Sequence, residues 1–258
     1  MKTCFIEQTC GLGDILLSIK IANHFADLGH RVVWPIEHVY QYLPEYIDAP
    51  NIEFVDIGES FPERETYLNL VSQKIGEVAE TEDYVYVPLK NSFFSVAAKK
   101  IMAETGYHDL ANMHGKFAMC SLDSKDWQDA FTLKRNRERE ERLFKKLKLE
   151  NGPYHLVNKS FGTPPRWNET LAKEIPTPYG TQRVMMHMDP EFTAFDWFKV
   201  LEKADRIDTV STSTFYLFEK IDLECIPTIY SRNTPHRSYN ENFGWLQTFA
   251  RKPYLYIG

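Results

Sequence analysis

The chain has 258 residues, with 30 Lys and Arg against 36 Asp and Glu and a formal net charge of −6. That length holds one large α/β domain or two small ones, each with its own core, and the acidic balance argues against a surface that is basic all over, the usual footprint of a nucleic-acid binder. No run reaches the roughly 18 uninterrupted apolar residues of a membrane span, and the first apolar residues read directly as strand and helix rather than as a secretory signal. Cys4, Cys10, Cys120 and Cys225 are scattered, with no Cys-x-x-Cys pair and no His at metal-ligand spacing, so neither a metal site nor a disulfide framework is indicated. The expectation is a cytoplasmic chain with reduced, mostly structural cysteines.

In chain order, Lys2 to Thr9 reads as a strand and Asp14 to Leu28 as a helix, joined by Cys10-Gly11-Leu12-Gly13-Asp14. Two glycines let the chain turn tightly and leave backbone N–H groups free at a helix N-terminus, a place for an anion or a reacting hydroxyl. Asp14 caps free N–H groups but repels phosphate, so it reads either as a helix cap or as a general base. Gly29 stops the helix, and strands follow over Arg31–Trp34, Ile52–Ile57 and Tyr84–Pro88, with a helix over Phe94–Glu104. Short strands joined by helices imply a parallel sheet covered on both faces, with its ligand at the carboxyl ends of the strands, where Cys10 to Asp14 lies.

Lys134 to Lys148 reads KRNREREERLFKKLK, a helix rich in Lys and Arg. It is either a solvated face laced with i,i+4 pairs such as Glu138 with Arg142 and Glu141 with Lys145, or a patch through which Lys134, Arg135, Lys145 and Lys146 meet a polyanionic acceptor such as DNA. Asn151-Gly152-Pro153 then breaks the pattern, which places the domain boundary between residues 1–150 and 151–258. A second α/β series follows: strand Tyr154–Asn158, a Pro-rich loop Gly162–Pro178, strand Arg183–Met188, helix Ala194–Ala204, strand Ile207–Val210, helix Thr214–Ile221 and strand Pro227–Tyr230. Trp245 to Gly258 is expected to cross back to the first domain or pack over it. The architecture expected is α/β, two Rossmann-like halves facing across a cleft.

Ser211-Thr212-Ser213-Thr214 lies at a strand-to-helix turn of the second half. One hydroxyl suffices for a cap, whereas four suit an anion cradle in which each O–H donates beside the helix N–H groups. Lys159 with Ser160, and Arg166 beside Trp167, follow the first strand of this half; a cation there offsets the charge that develops on a departing diphosphate, or is an ordinary solvated charge. Asp189, in Met188-Asp189-Pro190-Glu191, is the candidate for contact with a nucleoside, or part of a turn leading into a helix.

Three segments, GLGDILLSIKIANHFADLGHRVVW, VNKSFGTPPRW and ADRIDTVSTSTFYLFEKI, taken in this order, resemble GT-B glycosyltransferases of the bacterial heptosyltransferase kind, family 9. The resemblance implies that Asp14 is the catalytic base in an acceptor loop with Gly11, Leu12 and Gly13, that Arg166-Trp167 lies near the donor phosphates, and that Ser211, Thr212, Ser213 and Tyr216 stand where the family holds the nucleotide-sugar diphosphate with Asp-Thr-Gly-x-x-His. Asp, Gly and His of that turn are Ser211, Ser213 and Tyr216 here, so glycosyl transfer from a nucleotide-sugar is carried over and heptose is not. The expected reaction is an inverting displacement without a metal or other cofactor, the nucleotide-sugar being a co-substrate. Its acceptor is a glycan, a lipid-linked sugar or a hydroxymethylated DNA base, in a bacterial or virus-infected cell. A non-catalytic α/β nucleotide-binding module is the alternative. An NAD-dependent oxidoreductase fits less well, because no third glycine follows Gly13 at the dinucleotide spacing and Trp34-Pro35 stands where an acid belongs.

Overall fold

The computed structural model describes residues 1–159, 175–187, 189–231 and 239–257, with side chains from 243 onward in the last stretch. It divides into two compact units, Met1–Lys134 and Arg135–Gly258. The first contains β1 (Thr3–Ile6), α1 (Leu12–Asp27), β2 (Arg31–Ile36), α2 (Leu43–Tyr46), β3 (Ile47–Asp48), β4 (Ile52–Asp56), α3 (Arg64–Ser72), β5 (Ala79–Glu80), β6 (Tyr84–Val87), α4 (Val96–Thr105), α5 (His108–Ala118) and β7 (Thr132–Leu133). The second contains α6 (Arg137–Lys146), β8 (Tyr154–Asn158), β9 (Gln182–Met185), α7 (Phe198–Glu202), β10 (Arg206–Val210), α8 (Thr214–Phe218), β11 (Thr228–Tyr230), α9 (Tyr239–Phe249) and β12 (Leu255–Ile257).

Each unit is built on one sheet. In the first the order is β4-β2-β1-β6-β5, parallel except for the short edge strand β5. In the second it is β12-β11-β10-β8-β9, parallel throughout. The apolar runs explain both: β2 is buried along Val32–Ile36 and β8 along its whole length, which suits strands covered on both faces. Helix α1 is likewise buried at Leu12, Gly13, residues 15–19, Ile21, Ala22 and Phe25, too many sides for a surface helix, and it lies against the sheet as a core element.

In each sheet the chain leaves its first strand to one side and later returns on the other. That reversal falls between β1 and β6 in the first unit and between β8 and β10 in the second, and in open α/β sheets the crevice beyond the carboxyl ends at such a point is where ligands bind. The sequence motifs end at these two points: Cys10 to Asp14 follows β1, Lys159 follows β8, and Ser211 to Thr214 follows β10.

Three expectations are corrected. The units meet at Lys134/Arg135 rather than at residue 150, because α6 packs within the second unit: Leu143 and Phe144 are buried, and Arg139 reaches Asp196 at 2.9 Å. The final segment does not cross back; β12 extends the second sheet, with Thr228 opposite Leu255. The helix expected over Ala194–Ala204 begins as a 3₁₀ turn, Ala194–Trp197, closed by a capping box between Thr193 and Asp196, before α7 takes over. Among the described residues no helix is long and apolar enough to cross a membrane.

Candidate functional site

The turn after β1 has Gly11 as the N-cap of α1, at φ 83 and ψ 95. This is left-handed backbone that a side chain disfavours. A Cβ built on Gly11 would also lie 2.9 Å from Asp14 Oδ2. Asp14 sits in the first turn of α1, yet its carboxylate is held from a distant helix: Lys116 Nζ, on α5, donates to Asp14 Oδ1 at 2.5 Å and to Gln8 Oε1 at 2.7 Å. Gln8 Nε2 in turn donates to the Cys10 carbonyl at 2.7 Å, which fixes the amide. The Lys116 side chain is 2 % exposed and that of Asp14 36 %, so the cation is sealed while the carboxylate it holds meets solvent. Leu12 and Gly13 are buried, which leaves Gly11 as the open member of the expected acceptor loop. Tyr40 closes the turn, its hydroxyl accepting from Gly11 N–H at 3.2 Å.

A second carboxyl at this end of the sheet escaped the sequence reading. Glu7, one residue beyond β1, is 3 % exposed, accepts from Tyr86 Oη at 2.6 Å and Asn91 Nδ2 at 3.1 Å, and ties the chain after β6 to β1 through its carbonyl and Lys90 N–H at 2.7 Å. Burial pushes its pKa up, against the opposing pull of the Tyr86 hydroxyl, Lys90 and Asn91. The available signal was an adjacent polar pair, Glu7-Gln8, directly after three apolar strand positions, Cys4 to Ile6.

In the second unit β8 and β10 run side by side with Asn158 opposite Thr209, so that Lys159 and Ser211 leave the sheet from neighbouring strand ends. Asn158 Nδ2 donates to Thr214 Oγ1 at 2.7 Å, and Ser211 N–H donates to the Tyr230 carbonyl at 2.9 Å, which pins the hydroxyl turn to the sheet. Ser211, Thr212 and Thr214 are buried and Ser213 half-buried. Ser213 is the N-cap of α8 but makes no side-chain cap bond, and among the described residues the hydroxyls of Thr212 and Ser213 have no partner. Lys159 is half-buried. Ser160 and Arg166 lie outside the described residues.

Asp189 is otherwise engaged: its carboxylate accepts from Lys146 Nζ at 2.9 Å and from Glu191 N–H at 2.8 Å, and the ammonium holds its pKa below the usual range. The basic segment is laced with ion pairs beyond those expected. Lys134 pairs with Asp48, Arg135 with Glu140 and Glu202, Lys145 with Glu141, and Lys146 with Asp189 and Glu191. Arg142 turns to Glu191 in place of Glu138. Arg139, Arg142 and Lys146 also gather over the Phe192 ring at 5.0 to 5.7 Å. All four residues nominated for a polyanion are thus partnered by the chain's own carboxylates. Among the described residues no three His, Cys, Asp or Glu side chains come together as a metal-binding group.

No family model matches the sequence, and no curated protein does. Among solved structures, the chain is similar to the glycosyl transferase family 9 from Veillonella parvula DSM 2008, at 10 % identity over 89 % of this chain and 80 % of that one, with a TM-score of 0.46. It is also similar to the iron-containing dodecameric glycosyltransferase TibC from enterotoxigenic E. coli H10407, at 11 % identity over 99 % of this chain and 64 % of that one, with a TM-score of 0.49. At such identities the roles of individual residues rest on this chain's own geometry.

Proposed function

We propose that the protein is a glycosyltransferase that moves a sugar from a nucleotide-sugar to an acceptor hydroxyl with inversion. The observation that carries this reading is Asp14: a partly exposed carboxylate at the carboxyl end of β1, anchored through Oδ1, with Oδ2 beside a glycine whose missing side chain leaves room for an incoming group. A cap has no use for a sealed ammonium; a general base that must meet a hydroxyl in one orientation does. In this reading the first unit receives the acceptor and Asp14 removes the proton of its hydroxyl as that oxygen attacks the anomeric carbon. The second unit holds the donor: Lys159 and the hydroxyls of Ser211 to Thr214 meet the diphosphate and stabilise the charge that grows on it as the glycosidic bond breaks. Helix α8 is only Thr214–Phe218, so hydroxyl donors and Lys159 carry this task more than a helix dipole. Ser160 and Arg166 are assigned to the same task on sequence alone, and Asp189 a nucleoside contact only if Lys146 releases it.

A glycan or lipid-linked sugar is favoured as acceptor over a hydroxymethylated DNA base. DNA would have to displace the carboxylates already paired with Lys134, Arg135, Lys145 and Lys146. The sequence has no Asp-x-Asp pair of the metal-dependent kind, so transfer is expected to persist in EDTA; activity that vanishes in EDTA and returns with Mn²⁺ would contradict that part of the mechanism.

A thermal-shift panel of UDP, dTDP, GDP and ADP with their hexose conjugates tests the donor reading. A ligand at a hundred times its Kd stabilises the fold by about 2.7 kcal/mol, so one nucleotide series should raise the melting temperature by several degrees. Uniformly flat responses across the panel would leave the protein without a nucleotide-sugar donor.

A further inference from the structure

We propose that Lys116 is the positioning residue for Asp14, selecting Oδ2 as the oxygen that takes the acceptor's proton; this rests on the general-base reading given above. Lys116 stands 102 residues from Asp14 in sequence, yet its ammonium is bonded at 2.5 Å to Oδ1 and at 2.7 Å to Gln8 Oε1, in a position almost no water reaches. The Gln8 amide cannot turn away, because its nitrogen donates to the Cys10 carbonyl. Nor can α5 drift: Gly115, the residue before Lys116, lies so close to α4 that a Cβ on it would come within 2.7 Å of the Ala98 Cβ.

With Oδ1 occupied, Oδ2 is the oxygen left for chemistry, and it faces the space at Gly11. The Cβ that Gly11 lacks would sit 2.9 Å from Oδ2, which is hydrogen-bond distance. An acceptor oxygen placed in that space would be in line to give its proton to Oδ2. The Tyr40 hydroxyl, which accepts from Gly11 N–H, borders the same space and retains its own proton to donate to a substrate oxygen. Lys116 touches no reacting atom in this arrangement. It fixes the carboxylate's rotation, and misplacement of a reacting group by about 1 Å costs on the order of 10²-fold in rate.

The test is a double-mutant cycle on Lys116→Met and Asp14→Asn, read as nucleoside diphosphate released from UDP-, dTDP-, GDP- and ADP-linked hexoses, with water and alkyl glycosides as acceptors. Lys116→Met should lower kcat about 10- to 100-fold with the donor KM unchanged, and should cost nothing further in the Asp14→Asn background. Lys116→Arg, which keeps a cation at the same place, should recover part of the loss. Additive losses in the cycle, or a Lys116→Met protein with full kcat beside an inactive Asp14→Asn, would overturn the positioning role while leaving the base in place. A fully active Asp14→Asn, or no release by the unmodified protein from any donor, would overturn both. Should Lys116→Met fail to fold, Gln8→Met loosens the same ammonium from its other side; it should show the same kcat loss and the same absence of further loss with Asp14→Asn, and full kcat would count against the role.

Discussion

The Asp14 side chain is 36 % exposed while Lys116 holds its Oδ1 from a place water hardly reaches. A simple helix cap would tolerate Asn at little cost, since Asn caps as well as Asp. Here Asp14→Asn leaves a sealed ammonium with neutral partners, so it should lower stability by about 1–3 kcal/mol, measurable in the urea midpoint. The hydroxyl turn predicts the converse. Thr212 and Ser213 have no protein partner among the described residues, so replacing both by Ala should change stability by less than about 0.5 kcal/mol while weakening nucleoside-diphosphate binding by about 1.5–3 kcal/mol for each charge-assisted hydrogen bond removed. Unchanged affinity in calorimetric titration would return the turn to an ordinary helix start. Asp14 and the four hydroxyls could be nominated from the sequence because local chemistry marks them: glycines at a turn, and more hydroxyls than a cap needs. Lys116 could not, since its meaning depends on a partner 102 residues away, and neither could the pairing of Asp189 with Lys146, which is distant in sequence and adjacent in space.

The strands of both sheets other than β5 and β12 were readable from apolar runs, and Tyr154–Asn158 appears with the bounds expected. β2 was cut short at Trp34 because a proline usually ends a strand. Pro35 is accommodated beyond the last β1–β2 pair, Phe5 opposite Val33, where it still pairs with Val55 of β4. Helix α5 has no counterpart among the elements expected: HDLANMHGKFA carries two histidines and a lysine, and the helix is held by burial of Ala111, Met113 and Phe117 and by the close approach of Gly115 to Ala98. Gly115→Ala should therefore cost up to about 2 kcal/mol, an overpacking penalty of about 1–3 reduced by the roughly 1 kcal/mol that Ala gains in a helix, and Ala98→Gly in the same chain should recover much of it. The basic helix was read correctly as laced with pairs but assigned to the wrong unit, because Asp196 and Glu202, which bind Arg139 and Arg135, lie more than fifty residues on. Arg139→Ala removes a cationic partner of the fully buried Asp196 carboxylate, leaving Thr193 to donate to it, and should cost about 2–3 kcal/mol, discounted from a wholly buried pair because Arg139 is partly exposed.

Across the whole molecule, each unit carries a buried carboxyl whose pKa moves in the opposite direction, so the two respond to pH with opposite sign. Burial would raise Asp208, but hydrogen bonds from His155 at 2.5 Å and Arg206 at 2.7 Å prevail and hold it below its ordinary 3.8. Its contribution is present above pH 3.8 and is lost as pH falls through the folded value. Glu7 is raised above 4.5, so its contribution is complete below pH 4.5 and is lost as pH rises through its folded value. Asp208→Asn should flatten the acid side of the stability profile and Glu7→Gln the fall above 4.5, as read from denaturant midpoints over a pH series. That two α/β units exist was legible from alternating strands and helices; the strand orders that put each motif at a reversal of the sheet were not, because order is set by pairing between distant segments.

The most direct measurement is turnover of a nucleotide-sugar by the unmodified protein and by Asp14→Asn, with the melting temperature of each taken alongside. Loss of a general base costs about 10²- to 10⁴-fold, so the expected result is a folded Asp14→Asn protein that binds the donor with unchanged affinity and transfers sugar slower by that factor. A folded Asp14→Asn protein that turns over at the unmodified rate would contradict glycosyl transfer by this base.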